Sequence, residues 1–371
     1  MKRIILFYIS EFGGHSKAAS NIKEALLERD PSLLLRNVNG FGYFYPRTEK
    51  FVDGMYTAVI KHVPYLWGSI YDRKPIIKNL NPLRKFVNER TFEPLSRLLQ
   101  EFPADCFVAT QAFPCGLVAD FKKHFGIKIP LVAVVTDYHP HGFWLHPAVD
   151  KYVVACSEAK EALIREGVNE DKIEILGIPI SVKFLTSQPR EQVVREFGFN
   201  EQLRTVLIMG GGLGIGPIAK IAQTLDDSSC DFQTIVVCGK NKKLYEWFID
   251  NKSRFKKPIF CFEYVDFIHR LMDVADVIVT KSGGITISEA LAKGLAIIIT
   301  KPIPGQEERN VNYLLSKQAV IRADEPALVG EEAKKLLEDA QNMFGLKERA
   351  KRISLANSSL RIAELIIRLA L

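Results

Sequence analysis

Residues Val279–Asn310 read VTKSGGITISEALAKGLAIIITKPIPGQEERN. The apolar run into this segment, Asp276 to Thr280, has the make-up of a strand buried on both faces. Ser282, Gly283 and Gly284 follow, and then a helical pattern from Ile285 to Lys293. A strand, a turn of small residues and a helix start leave backbone N–H groups at the positive end of a helix, where a phosphate can sit. Glycine at 283 and 284 removes the Cβ atoms that would block close approach. Glu289 lies about one and a half turns in, within reach of a ribose hydroxyl beyond the phosphates. A second strand, Leu295 to Thr300, feeds the turn Pro302-Ile303-Pro304-Gly305, which presents Gln306, Glu307 and Asn310 to the hydroxyls of a sugar. The segment thus offers places for a diphosphate, a ribose and a hexose in that order. An ordinary βαβ unit would account for Ser-Gly-Gly alone. The second polar turn, one strand later, favours a site, because open α/β sheets bind ligands at the carboxyl ends of their strands.

At 371 residues the chain is long enough for two domains. It holds no run of ~18 apolar residues, so no membrane span is expected. Met1-Lys2-Arg3 followed by Ile4 to Ile9 imitates a signal peptide, but the run is short and no small-residue cleavage site follows. The six cysteines show no CxxC pairing. Cys106, Cys156, Cys238 and Cys261 lie in apolar runs, as reduced thiols of a cytoplasmic protein do.

Working outward, the first half reads as strand (Arg3 to Ile9), glycine turn, helix (Ser16 to Arg29) and strand (Leu33 to Val38). This is a Rossmann-like start without the G-x-G-x-x-G fingerprint. His15 follows Gly13-Gly14 near the helix N-terminus, where the dipole disfavours the imidazolium; a neutral imidazole there suits a general base. A capping or core histidine is the simpler account on the residues alone. Strands at Ala104–Ala109, Pro130–Val135, Tyr152–Ala155 and Ile173–Leu176 complete this half, with Ser157 expected to cap a helix. Asp137 ends one strand and could orient His15 or act as base itself; a turn or cap role is the alternative. His139, His141 and His146 suggest a metal only weakly, because no Cys or Glu stands in register.

Residues 41–90 differ from the rest. Aromatics that include Tyr45 and Trp67 interleave with nine basic against four acidic residues, a surplus of five within a chain of net charge +7. Such a segment fits the headgroup layer of an anionic membrane, or a nucleic acid. A solvated helical insertion with inward aromatics is the alternative.

The second half restarts the pattern with a strand (Thr205 to Met209) and Gly210-Gly211-Gly212-Leu213-Gly214-Ile215-Gly216. Five glycines in seven residues suit a loop backing closely onto a ligand; a mobile loop is the alternative. Strands at Gln233–Cys238 and Pro258–Phe262 exit into Gly239-Lys240-Asn241 and Glu263-Tyr264-Val265-Asp266. Helices are expected near Phe267–Val274, Asn312–Lys317, Ala327–Leu337 and Leu346–Ala356, with a final amphipathic helix around Leu360–Ile367.

TKSGGITISEA followed by KPIPGQEERN resembles the donor-site signature of the diacylglycerol glycosyltransferases. These are the monogalactosyldiacylglycerol synthases of plastids and the processive diacylglycerol glucosyltransferases of bacteria; the MurG-type transferases are more distantly similar. The resemblance runs through nearly the whole chain, including a Gly-His turn at Gly14-His15, Thr136-Asp137 followed by Trp144, "GIPI" at 177–180 and "CGKN" at 238–241. Phe12 departs from it, standing where many members have a small residue.

The resemblance implies two Rossmann-like α/β domains facing a cleft, the glycosyltransferase-B fold. Residues 1–183 with the C-terminal helix 357–371 would form the acceptor and membrane side, residues 184–356 the UDP-sugar side, and a hinge would lie near 180–186. It implies an inverting, metal-independent hexosyltransferase that moves glucose or galactose from a UDP-sugar to diacylglycerol. The absence of an Asp-x-Asp motif from the sequence agrees. Donor contacts would come from Gly211, Gly212, Gly239, Lys240, Tyr264, Val265, Ser282, Gly283, Gly284, Ile285, Glu289, Gly305, Gln306, Glu307 and Asn310. Catalysis would rest on His15, Asp137 or Asp72, and the resemblance favours His15. The acceptor side would include Gly14, Tyr45, Trp67 and Trp144. No cofactor and no nucleic acid are implied, and the place would be cytoplasmic, peripheral on the inner face of an anionic membrane. The rivals are a MurG-type N-acetylglucosaminyltransferase with a polyprenyl-linked acceptor, a nucleotide-sugar epimerase, and a non-catalytic UDP-sugar sensor.

Overall fold

The computed structural model describes residues 1–9, 13–44, 92–302 and 305–370. Asp72, Tyr45, Trp67, most of the aromatic-basic segment, and Ile303 and Pro304 of the Pro-rich turn lie outside them. Two compact units form. One comprises Met1–Val182, Ile303–Gln306 and Asn357–Leu371, the other Lys183–Pro302 and Glu307–Ala356.

The first unit is built on a parallel sheet of β1 (Arg3–Tyr8), β2 (Leu34–Asn39), β3 (Cys106–Ala109), β4 (Leu131–Val134), β5 (Lys151–Val154) and β6 (Ile173–Ile175), in the order β2-β1-β3-β4-β5-β6. The run that imitates a signal peptide is β1, with Ile4 to Phe7 fully buried between its neighbours. Ala18, Ala19, Ile22, Ala25 and Leu26 make the buried stripe of helix Gly14–Arg29. All but Ala18 share one core with β1, β3 and the final helix Ser358–Leu369, which contributes Ile362, Ala363, Leu365 and Ile366. Spacings of three and four put those residues on one face. Lys2 Nζ donates to Ile367 O and Ala370 O, both at 2.9 Å, placing a cation on the carbonyl end of that helix. Its first turn is stitched to the "GIPI" segment by Ser358 Oγ on Ile178 O (2.7 Å) and by Ser359 Oγ on Ile180 O.

The second unit is a parallel sheet of β7 (Arg204–Met209), β8 (Phe232–Val237), β9 (Ile259–Phe262), β10 (Val277–Thr280), β11 (Ala296–Ile299) and β12 (Ile321–Arg322), ordered β12-β11-β10-β7-β8-β9. β8, β10 and β11 are buried along their whole length and β7 from Thr205 on, which is why they read as unbroken apolar runs.

Two expectations shift. The helix expected near Asn312–Lys317 spans Gln306–Ser316, so Gln306, Glu307 and Asn310 belong to a helix and not to the Pro-rich turn. Gly305 carries the positive φ (+100°) that ends the turn, and Glu307 and Glu308 then sit in the first helical turn, where the dipole favours acids. Helix Ser157–Arg165 has Cys156 as its N-cap residue; the Ser157 hydroxyl instead donates to Glu158.

Candidate active site

In each sheet the chain lays its first strand, adds strands to one side, and then returns to the other side of that first strand. The reversal falls between β1 and β3 in the first unit and between β7 and β10 in the second. At such a point the two exit loops diverge to opposite faces and leave a crevice at the carboxyl edge. Of the predicted site residues, Gly14 and His15 lie at the first place, and Gly211, Gly212 and Ser282 to Ile285 at the second.

At the first reversal point, Gly13 is the N-cap of helix Gly14–Arg29, so Gly14 and His15 are its first two residues. His15 Nδ1 lies 2.9 Å from Thr110 O, on the exit of β3, and 3.0 Å from Thr136 Oγ1, on the exit of β4. A carbonyl can only accept, so Nδ1 carries the proton and Nε2 keeps its lone pair. Thr110 Oγ1 donates back to His15 O at 2.8 Å, which fixes the ring's backbone. Burial pulls the His15 pKa from 6.5 to about 4, against the opposing effect of the Thr110 carbonyl. His141 is buried beside it and is pushed down to about 3, by burial first and by the neighbouring His15 and His139 second. Both rings are therefore neutral at pH 7. Asp137 is buried next to Thr136, and Gln306 Nε2, which groups with this unit, donates to its Oδ2.

The three histidines of this region do not act as a set. His146 pairs with Asp120 through Nε2 (2.8 Å) and accepts from Ala148 N through Nδ1 (3.1 Å), a purely local role. Among the described residues no group of three His, Cys, Asp or Glu could hold a metal ion. Trp144 is buried, and its indole N–H has no hydrogen-bond partner among the described residues.

At the second reversal point, β7 and β10 pair in register from Val206↔Val277 to Met209↔Thr280. Their exits, Gly210–Gly216 and Lys281–Gly284, therefore leave side by side. Ile287 N bonds Gly283 O at 3.0 Å, so the N–H groups of 284–286 lie ahead of the intrahelical ladder, and the N-cap residue Gly283 supplies no side-chain cap. A Cβ on Gly283 would meet no protein atom within 4 Å: the fold leaves space there and does not itself demand glycine. Gly214 is the opposite case. It has φ +60°, and a Cβ on it would fall 2.0 Å from Cys238 O. The Gly-rich loop folds against the β8 exit, with Lys240 N on Gly212 O (3.0 Å) and Asn241 Nδ2 on Gly214 O (3.1 Å). Part of its glycine content thus serves contact between two loops. On the next strand exit Tyr264 is 53% exposed, with Lys240 Nζ 5.7 Å from its ring centre, and Val265 is half-buried.

The helix Gln306–Ser316 is tied to the β10 exit by Ser282 Oγ on Glu307 O (2.8 Å) and Asn310 Nδ2 on Ser282 O (3.0 Å). Ser282 and Asn310 are wholly buried, and Glu289 is 4% exposed on helix Gly284–Ala292. Lys281, absent from the predicted set, completes the cluster: its Nζ lies 2.5 Å from Glu307 Oε1. Its place directly before Ser-Gly-Gly was the available signal, but which loop it faces depends on strand order. Thr110 and His141 were likewise beyond a linear reading.

The family model described as monogalactosyldiacylglycerol (MGDG) synthase matches residues 15–180, and that of the glycosyltransferase family 28 C-terminal domain matches residues 205–366. A processive diacylglycerol beta-glucosyltransferase of Bacillus subtilis is 32% identical over 295 residues, 76% of each chain. Its counterpart in Bacillus licheniformis is 31% identical, over 74% of this chain and 73% of that one. Among solved structures, Acinetobacter baumannii MurG superposes with a TM-score of 0.66 at 13% identity, covering 99% of this chain and 100% of that one. Anabaena Alr3699/HepE in complex with UDP-glucose superposes at 0.58 and 14% identity, with the same coverage. These two likenesses are of fold: the paired parallel sheets are the glycosyltransferase-B architecture.

Proposed function

The chain belongs to the diacylglycerol glycosyltransferase family, and from that membership we propose that it moves a hexose from a UDP-sugar to diacylglycerol, with inversion at the anomeric carbon. The observation that supports this best is the second reversal point. There an uncapped helix N-terminus with open space at Gly283 lies beside the loop of β7, followed by the polar face of the Gln306 helix. The N–H groups of 284–286 and the loop amides meet the diphosphate, so no metal is needed as UDP leaves. Glu289 takes the ribose, the 263–265 turn the uracil, and Gln306, Glu307 and Asn310 the hexose.

The first unit supplies the acceptor side. His15 Nε2 takes the proton of the acceptor hydroxyl while Thr110 O holds the Nδ1 proton, and the arriving hydroxyl attacks opposite the departing diphosphate. An α-linked donor then yields a β-linked glycolipid. In this reading Asp137, buried beside Thr136, orients the acceptor. Among the described residues no helix is long and apolar enough to cross a membrane. The basic, aromatic stretch within 41–90 is assigned to docking on anionic lipid at the cytoplasmic face.

The test is incubation with UDP-glucose, UDP-galactose or UDP-N-acetylglucosamine and diacylglycerol, in anionic and in zwitterionic mixed micelles, with mass spectrometry of the lipid. A hexosyl-diacylglycerol formed faster in anionic micelles is expected. UDP binding without glycolipid from any donor would overturn the acceptor assignment, and equal rates in both micelles would remove the electrostatic docking.

A further inference from the structure

Lys281 and Glu307 face each other where the donor's phosphates and hexose are placed in the reading above, and the following rests on that reading. Lys281 leaves the end of β10 and crosses toward the β7 exit: a Cβ on Gly211 would come within 3.3 Å of Lys281 Cε. Its stem thus lies across the crevice between the two exit loops, and its ammonium ends on Glu307 Oε1 at 2.5 Å. Both side chains are largely shielded, 23% and 13% exposed. A carboxylate next to a diphosphate is repelled unless neutralised, and a shielded carboxylate without a counter-charge is costly. Glu307 is paired with Lys281, whose flexible stem also reaches the Gly211 loop beside the proposed phosphate place.

We propose that Lys281 is a diphosphate-binding residue that Glu307 holds in reserve, and that donor binding exchanges its partner. When the nucleotide arrives, the ammonium turns from Glu307 to the phosphate oxygens, a movement a four-carbon stem makes by rotamer change. The Glu307 carboxylate then accepts hydrogen bonds from hexose hydroxyls, which replace the lost counter-ion. Its backbone stays fixed by Ser282 Oγ during the exchange. UDP alone draws Lys281 away and brings no hexose hydroxyls to Glu307. The exchange therefore favours UDP-hexose over UDP, and after transfer Glu307 competes for Lys281 and helps expel UDP.

Calorimetry with uridine, UDP and UDP-glucose on the native protein and on Lys281→Met and Glu307→Gln tests this. Lys281→Met should weaken UDP roughly ten- to a hundredfold while uridine binds as before. Glu307→Gln should bind UDP several-fold more tightly than native protein, yet gain nothing for UDP-glucose, and should show stronger product inhibition. That opposite sign is the discriminating result, because a pair with a merely structural role would weaken UDP when either partner is changed. Weakened UDP binding in Glu307→Gln, or undiminished UDP binding in Lys281→Met, would overturn the exchange alone. No UDP binding by the native protein would overturn the donor reading and the exchange with it.

Discussion

The reversal points of the two sheets have the same strand geometry and opposite chemistry. Between β1 and β3 the exits hold a titratable ring against a carbonyl, with burial suppressing its charge. Between β7 and β10 the exits hold the first backbone N–H groups of a helix and an ammonium paired with a carboxylate. Topology is the same in both cases; the side chains differ, and under the proposed function one place would receive a proton and the other an anion. A neutral imidazole with a free Nε2 cannot attract a diphosphate, and an ammonium beside amides cannot accept a proton from a hydroxyl.

The largest effect should come from breaking the proton side alone. His15→Ala should lower turnover roughly a hundred- to ten-thousandfold, the range for a general base, with UDP affinity within about twofold of native. Glycolipid formation and calorimetry on the same sample read both, and unchanged turnover would remove His15 from the role. Next in size is a pair of glycines at the anion side. Gly214→Ala forces a Cβ into Cys238 O at a positive φ and should cost about 3 kcal/mol of stability. Gly283→Ala meets no protein atom and should leave stability unchanged while weakening UDP about tenfold. Equal melting temperatures for the two variants would show that the loop contact is not what demands glycine at 214.

The smallest effect concerns pH. His15 and His141 have depressed pKa values, about 4 and about 3 against 6.5. The stability of their neutral forms is complete above 6.5 and is lost as pH falls toward those values. Each ring costs about 1.4 kcal/mol per pH unit below 6.5. Urea unfolding at pH 7 and 5.5 should therefore differ by roughly 2 kcal/mol, and by less in His15→Gln. A His15 ring that titrates near 6.5 by NMR would contradict the burial that separates the two reversal points.

Much of this was legible in the residues. Unbroken runs such as Ala296–Ile299 declare strands buried on both faces, and Ser282-Gly283-Gly284 declares a helix start that a phosphate could approach. These are local matters, because apolar periodicity and glycine backbone freedom act over a few residues. The helix start at Gln306 was misplaced for a local reason too. Gln-Glu-Glu-Arg-Asn is polar in every position, so periodicity first becomes visible at Val311 and Leu314, the buried face of that helix.

By itself, then, the sequence determined the strands and the two Rossmann-like halves and, through Ser-Gly-Gly and the Pro-Gly-Gln-Glu segment, pointed to the place proposed for the donor. Tertiary structure alone decided which residues share a crevice. Thr110 is 95 residues from His15, and Glu307 is 26 from Lys281. Only the order of parallel strands puts their exits side by side, and that order is fixed by the packing of whole sheets rather than by the residues at the exits. The tautomer of His15 and the counter-ion of Lys281 follow from that adjacency, since a hydrogen bond or an ion pair needs its partner within about 3 Å, however far away it is in the chain.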